Sequence, residues 1–357
     1  MLQIENMKYS KSIDSLKGIA MLGIILVHSR LSFGNIFQCI VNNGARGVQL
    51  TFIISGYLIF KSLENAYQKK TPLKTWYRGK ILRIIPLYWF FTILHIIVFG
   101  RGERFYLGPL KEVSWLNIIC NLLCIHGFFP YYANSINANW YIADLMLWYL
   151  IAPVIYRVFN SLKKVVTGLL FGVPIIYSIL ILLKNKPIIS SIPIWNDYLS
   201  VFFFGAQLPI IFLGVVIYWL EKEKKIERIS NIRGSFFAAM FCILLLTIGS
   251  DKFLVFDTAF SFSLCFSIIF ILQLVKPVRF LCNNILAIYG KYSYSIYLLH
   301  LFVVDGVWKI FGGGYKVYSG IEQICIYIII CIISLGGSIC IEMLEKKMER
   351  IIKKIVK

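Results

Sequence analysis

The sequence predicts an all-helical, polytopic integral membrane protein with about ten transmembrane helices and both termini in the cytoplasm. Three observations predict this fold class. Of the 357 residues, 59% are hydrophobic and only 15% are charged, whereas soluble proteins carry about 25% charged residues. The apolar residues occur in blocks of about 20, the length that crosses a hydrocarbon core of about 30 Å as a helix. The basic residues lie between these blocks, where the positive-inside rule expects them.

Ten segments are predicted to cross the membrane as helices. The fifth of them, VVTGLLFGVPIIYSILILL, contains no charged residue, and the seventh is the shortest. In chain order they are Asp14–Phe33, Val48–Leu63, Ile81–Phe99, Trp140–Tyr156, Val165–Leu183, Phe202–Leu220, Ser235–Gly249, Leu254–Val275, Ser293–Phe311 and Ile321–Met343.

The block Trp115–Phe129 is ambiguous, because its length also suits a re-entrant or interfacial segment. If it does not cross, 27 of the 37 basic residues lie on the side of the N-terminus and 10 on the other. If it crosses, the basic residues from Lys222 to Arg233 move to the outer side. The positive-inside rule therefore favours ten crossings with both termini in the cytoplasm.

The whole chain, residues 1–357, is predicted to form a single membrane-embedded domain. No connecting loop is long enough for a separate globular domain, and no internal repeat is evident. A short, basic, polar start leads directly into the first segment, so we expect that segment to act as an uncleaved signal.

Two other functional classes are disfavoured by the composition. The net charge of +20 would suit nucleic acid only if the basic residues were clustered on one face with interleaved aromatic residues. The nine cysteines show no metal-site or redox spacing, and most lie in apolar blocks as small buried residues. We therefore expect neither nucleic-acid binding nor a metal site.

The first segment carries Lys17 and, eleven residues later, His28. In a helix they would lie about 16 Å apart along the axis on nearly the same face. An ionisable group inside a membrane is costly and is by default a functional-site hypothesis, and a neutral imidazole can take a proton from a hydroxyl near neutral pH. On spacing alone, a histidine that hydrogen-bonds to a neighbouring helix explains His28 equally well.

Gly47 immediately precedes the second segment, and Ser55 and Gly56 lie within it; these are small residues that permit close helix packing. A basic cluster follows at the start of the third segment, formed by Arg78, Lys80 and Arg83. Such a cluster can bind phosphate groups or anchor the helix to anionic lipids. From the residues alone, packing is the favoured interpretation of the small residues and anchoring that of the cluster.

Three of the other ionisable residues within predicted membrane helices are candidates for a functional site. Asp144 lies one turn into its segment and is difficult to explain by packing. His300 lies about two turns into the ninth segment, and Asp305 follows it as an acid without an obvious partner.

Four motifs of this sequence resemble those of a known family. Lys17 and His28 are separated by ten residues, Gly47–Leu58 reads GVQLTFIISGYL, and Lys80 with Arg83 precedes IIPLY. The fourth motif is SYSIYLLH, from Ser293 to His300. Their order and spacing resemble acyltransferase family 3, membrane-bound bacterial O-acyltransferases of surface polysaccharides and lipid-linked sugars.

This resemblance covers nearly the whole chain and implies a function. It implies transfer of an acyl group, most often acetyl, from cytoplasmic acetyl-coenzyme A to a sugar hydroxyl, in the cytoplasmic membrane of a bacterium. It implies no metal. By this resemblance His28 is the catalytic base, and Lys17, Lys80 and Arg83 bind the acyl donor. The residues expected to bind substrate or support the site are Asp144, Ser293 and His300.

The sequence departs from the family pattern at three positions. Lys17 and Lys80 stand where arginine is usual, and Gln49 stands where many members carry an acid. Lysine keeps the positive charge but lacks the planar fork of arginine. The two lysines keep open the alternative of a catalytically inactive relative. A second alternative is a transporter or flippase of a lipid-linked saccharide, which would also need a basic entrance and intramembrane polar groups.

Overall fold

The computed structural model describes residues 2–34, 36–102, 107, 110–137, 139–187, 193–226, 232–249, 258–311 and 318–355. All regular secondary structure in these ranges is helical, which confirms the all-helical prediction. The α-helices are α1 Leu2–His28, α2 Ile36–Asn43, α3 Gly47–Gln68, α4 Leu73–Phe99, α5 Trp115–Leu122, α6 Trp140–Val158, α7 Leu162–Lys184, α8 Pro193–Asp197, α9 Phe204–Lys222, α10 Ile232–Gly249, α11 Thr258–Val275, α12 Asn284–Lys291, α13 Ser293–Ile310 and α14 Gly320–Ile355. A π-helical turn, Tyr198–Phe202, links α8 to α9.

Several helices have the length and composition of membrane-spanning segments. A helix satisfies all its backbone hydrogen bonds internally, which is why apolar segments that meet lipid form helices. The described residues contain five stretches long and apolar enough to cross a membrane: Leu73–Phe99, Trp140–Val158, Leu162–Lys184, Ile194–Lys222 and Gly320–Glu345. Two shorter apolar helices are Gly234–Thr247 and Ala259–Val275. These helices are those of a multi-pass membrane protein.

Each of the ten predicted segments coincides with a helix over most of its length. The start of the eighth segment, residues 254–257, lies outside the described residues. The end of the first segment differs from the prediction. The first segment was expected to continue to Phe33, whereas α1 ends at His28. A turn follows, in which Arg30 adopts a left-handed conformation with φ of 55°. Left-handed residues are common where helices end. His28, the predicted base, is therefore the last residue of α1 and does not lie in the middle of a longer helix.

The ambiguous block Trp115–Phe129 forms only a short helix. α5 has eight residues, about 12 Å of helix, which is far less than the ~30 Å hydrocarbon core. A turn with Cys124 at φ of 57° and a 3₁₀ turn, His126–Phe128, complete the block. This agrees with the expectation that the block does not cross the membrane.

The chain forms two compact units, residues 1–51 with 231–357, and residues 52–230. In the first unit α1 packs at backbone distance against α12, because Gly18 faces the Leu286 carbonyl and Gly290 faces the Asp14 carbonyl. Gly47 faces the Ala20 carbonyl in the same way.

In the second unit α3 packs closely against α9. Gly56 faces the Ile211 carbonyl and Gly214 faces the Ile53 carbonyl. The interpretation of Gly47 and Gly56 as packing residues is therefore confirmed. Ser55 makes a hydrogen bond instead, since its hydroxyl lies 3.0 Å from the Tyr141 hydroxyl.

Candidate active site

The centre of the candidate site is a pair of histidines. The His28 ring, at the end of α1, lies 5.2 Å from the His300 ring of α13, measured between centroids, with 47° between the ring planes. His28 is half-buried, whereas His300 has no exposed surface. The structure thus brings together two residues from opposite ends of the sequence, each of which was singled out for its position in a helix.

The hydrogen bonding of His300 fixes the roles of its two nitrogens. Its Nδ1 atom lies 2.6 Å from the Tyr297 carbonyl oxygen. A carbonyl oxygen only accepts, so Nδ1 carries the hydrogen and Nε2 of the neutral ring carries a lone pair. That Nε2 atom is buried and has no hydrogen-bond partner among the described residues. An unused acceptor therefore lies in the part of the structure where the two rings meet.

Asp305 has a partner that the sequence did not reveal. The Arg30 guanidinium, two residues after His28, donates to the Asp305 carboxylate. The view of Asp305 as an acid without a partner is corrected, because the turn after α1 brings Arg30 to the side of α13. The signal in the sequence was a basic residue just beyond His28.

Lys17 lies on α1 in the same unit as the histidine pair. Its Nζ atom is 3.2 Å from the Asp14 carboxylate, one turn earlier on the helix. Both side chains are partly exposed, so this i, i+3 pair adds little to stability. The Lys17 side chain is therefore able to pair with a second anion in addition to Asp14.

Ser293 begins α13 and is half-buried. It precedes His300 by seven residues, so both lie on one face of the helix about two turns apart. The neighbouring Ser295 donates to the Glu342 carboxylate at 3.1 Å.

Lys80, in the second unit, is held by polar and aromatic groups. Its Nζ atom donates to the Ser62 hydroxyl at 2.8 Å, and the indole N–H of Trp76 donates to the same oxygen at 3.0 Å. The ammonium lies 5.3 Å from the Trp76 ring centroid and 5.7 Å from that of Tyr149, within the range of cation–π attraction. Ser62 and Tyr149 were not identified from the sequence, because neither residue type signals such a contact.

Arg83 lies one turn after Lys80 on α4 and is exposed. Among the described residues, neither cation has a carboxylate within ion-pair distance. Acids of the same unit are paired with other lysines, Glu64 with Lys222 and Glu221 with Lys61. Lys80 and Arg83 therefore have positive charge available for an anion.

Asp144 lies on α6 and is only 1% exposed. Its Oδ2 atom has no hydrogen-bond partner among the described residues. The side chain lines a small cavity together with Cys124, Gly127 and Phe203. A buried carboxyl oxygen without a partner is expensive, and an ionisable group inside a membrane is by default a functional-site hypothesis.

Comparison with known proteins gives consistent matches over most of the chain. A family model described as an acyltransferase domain matches residues 10–343. A Staphylococcus aureus protein of strain MSSA476, named "Putative O-acetyltransferase", is 25% identical over 336 residues, which cover 85% of this chain and 52% of the relative. O-acetyltransferase OatA of Staphylococcus aureus strain NCTC 8325 is 24% identical over 317 residues, 82% of this chain and 50% of the relative.

The chain spans about half the length of the curated relatives it matches. No solved structure matches it.

Proposed function

The chain belongs to the acyltransferase 3 family, and on that premise we propose that it is a membrane O-acyltransferase. It moves an acyl group, acetyl in the simplest case, from cytoplasmic acetyl-coenzyme A to a hydroxyl of a cell-surface polysaccharide or lipid-linked sugar. The names of the relatives, which are O-acetyltransferases by description, support the acetyl group.

The histidine pair is the observation that carries this proposal. A hydroxyl that attacks the thioester carbonyl must lose a proton, and the coenzyme A thiolate that leaves must gain one. A neutral imidazole can accept the first proton and return it in the second step. We assign this role to His28, because this residue is partly exposed, whereas His300 is fully buried and donates from Nδ1 to a backbone carbonyl.

The basic residues of α4 suit the donor. Coenzyme A carries phosphate groups, and charge-assisted hydrogen bonds from lysine and arginine to phosphate are among the strongest available. Lys80 and Arg83 have no carboxylate partner in the described part of the chain. Lys17 is proposed as a further donor contact, which exchanges or shares its Asp14 partner when the donor binds.

Asp144 and Ser293 are proposed to support the acceptor. The Asp144 carboxyl lines a cavity with one oxygen unused, so it can bond to a sugar hydroxyl or to an ordered water. Ser293 offers a hydroxyl on the face of α13 that carries His300.

The proposal includes the arrangement in the membrane. The protein crosses the cytoplasmic membrane of a bacterium ten times with both termini inside, and residues 1–357 act as one membrane-embedded domain. The long apolar helices and the excess of basic residues on one side support this arrangement.

The test is the acylation of the surface glycan by cells that carry His28→Ala in place of the native protein. Esters released from the glycan by mild alkali should fall by at least ~100-fold, the scale expected when a general base is lost. The matched control is His95→Gln, which replaces another buried histidine, on α4, and should leave ester content unchanged.

Equal amounts of inserted protein must be shown for both variants. Normal acylation by His28→Ala would contradict the mechanism. If the purified native protein moved a lipid-linked saccharide across vesicle membranes without consuming acetyl-coenzyme A, the enzyme proposal would fail in favour of a transporter.

A further inference from the structure

The residues that follow His28 are held by three side chains from two other helices of the same unit. We propose that these side chains, Asp305 and Trp308 of α13 and Gln323 of α14, form a clasp that positions the His28 ring for proton transfer. This inference rests on the proposed function, because the clasp needs to position His28 only if His28 is the general base.

The first contact of the clasp is immediately next to His28. The indole N–H of Trp308 donates to the carbonyl oxygen of Ser29 at 2.9 Å, and the bond is buried. The last carbonyl groups of a helix have no partner within the helix, so the end of α1 is where the backbone is least constrained. Trp308 supplies a donor at that point.

The second contact holds the turn itself. Arg30 adopts a left-handed conformation, which an ordinary residue keeps only when its surroundings determine it. Its guanidinium pairs with Asp305, one helical turn from Trp308 on α13, so both contacts come from neighbouring positions of one helix face. Arg30 is 60% exposed, and an ion pair with so exposed a partner contributes little to folding.

The third contact fixes the direction in which the chain leaves the turn. The side-chain amide of Gln323 donates to the Ser32 carbonyl at 2.8 Å and accepts from the Ser32 backbone N–H at 2.7 Å. Both bonds together fix the backbone of Ser32, because they hold the peptide groups on its two sides. Gln323 is mostly buried.

The reason for such a clasp is geometric. A proton acceptor must be held within about 0.5 Å of its productive position, and a residue at the end of a helix is the one most subject to fraying. His300 lies on α13, five residues before Asp305, so the helix that carries the second ring of the pair also holds the turn behind the first. The clasp therefore couples the position of His28 to that of His300.

The test compares variants that remove one contact each and leave the fold intact. Trp308→Phe removes the N–H donor and keeps an aromatic ring. Arg30→Asn removes the charge, and asparagine tolerates the left-handed conformation of this position. Each variant should lower kcat by about tenfold, because small displacements of a catalytic group have effects of this order. The KM for acetyl-coenzyme A and the melting temperature in detergent should stay at the native values.

A charge exchange distinguishes positioning from a general loss of stability. Arg30→Asp and Asp305→Arg should each lower kcat, and the double variant should restore most of it, because the ion pair is rebuilt in reverse. The matched control is Glu112→Gln, which breaks the Arg101–Glu112 ion pair of the second unit and should leave kcat unchanged.

The outcomes separate this inference from the proposed function. Native kcat in both Trp308→Phe and Arg30→Asn, with an inactive His28→Ala, would overturn the clasp and leave His28 as the base. A fall in kcat matched by a fall in melting temperature would also overturn it, because the contacts would then be structural. An active His28→Ala would instead contradict the proposed function.

Discussion

The two nitrogens of His300 have different surroundings, and this difference can be tested with two amides. Asparagine places an amide near the position of Nδ1, which donates to Tyr297. Glutamine places one near Nε2, which has no hydrogen-bond partner in the described part of the chain. If the unused nitrogen acts in the reaction, His300→Asn should lose about tenfold more transfer activity than His300→Gln, since asparagine places no polar group at the position of Nε2.

The measurement is ester content of the surface glycan at equal amounts of inserted protein. Higher activity of His300→Asn than of His300→Gln would show instead that His300 acts by anchoring the ring pair through Nδ1.

Arg83 is the residue at which donor binding can be separated from lipid anchoring. A charge-assisted hydrogen bond contributes about 1.5–3 kcal/mol, so Arg83→Gln should raise the KM for acetyl-coenzyme A by roughly tenfold or more. Steady-state kinetics of purified protein in lipid nanodiscs measures this. Lys74→Gln is the control, because Lys74 is an exposed cation in the first turn of the same helix and should leave the KM unchanged.

An unchanged KM in a well-inserted Arg83→Gln protein would favour the lipid-anchoring interpretation of this cluster. An increase in both variants would indicate a general electrostatic effect of the surface.

Among the helices, α1 and α12 are packed so closely that their contact admits no side chain. A Cβ atom added at Gly18 would lie 2.0 Å from the Leu286 carbonyl oxygen, and one added at Gly290 would lie 1.6 Å from that of Asp14. The helices would have to separate, so Gly18→Ala or Gly290→Ala should destabilise the protein by about 1–3 kcal/mol, as overpacking does.

Thermal melting in detergent measures this effect. Gly336→Ala is the matched control, because a Cβ at that position of α14 meets no atom within 4 Å, and it should be neutral or slightly stabilising, by about 0.5 kcal/mol. Equal melting temperatures for Gly18→Ala and Gly336→Ala would show that the α1–α12 contact has room for a methyl group at position 18.

For the whole molecule, the distribution of basic residues predicts the topology. Single cysteines placed at Lys224 and Lys354 should be labelled only from the cytoplasm, and those at Glu103 and Asn134 only from outside, because 27 of the 37 basic residues then lie inside. All nine native cysteines are free thiols and some are exposed, so a cysteine-free background is required.

Labelling of position 224 from outside would show that residues 115–129 cross the membrane. The eight-residue length of α5 argues against that result, because about 12 Å of helix does not span the hydrocarbon core.

The positions of the ten helices that contain the predicted segments followed from the sequence alone. The length of an apolar block and the charges at its ends are properties of the chain and of the lipid around it, and they require no knowledge of neighbours. All ten predicted segments coincide with helices for this reason. The same one-dimensional pattern also identified Lys17, His28, Asp144 and His300 as ionisable groups in unusual places.

Which groups meet was decided only by the tertiary structure. The contact of His28 with His300, the pairing of Arg30 with Asp305 and the placement of Lys80 on Ser62 each join residues far apart in the sequence. Such contacts depend on how helices cross and how closely they approach, which in turn depends on glycines such as Gly18. Hydrophobic periodicity tells which face of a helix is buried, but it carries no information about which other helix covers that face.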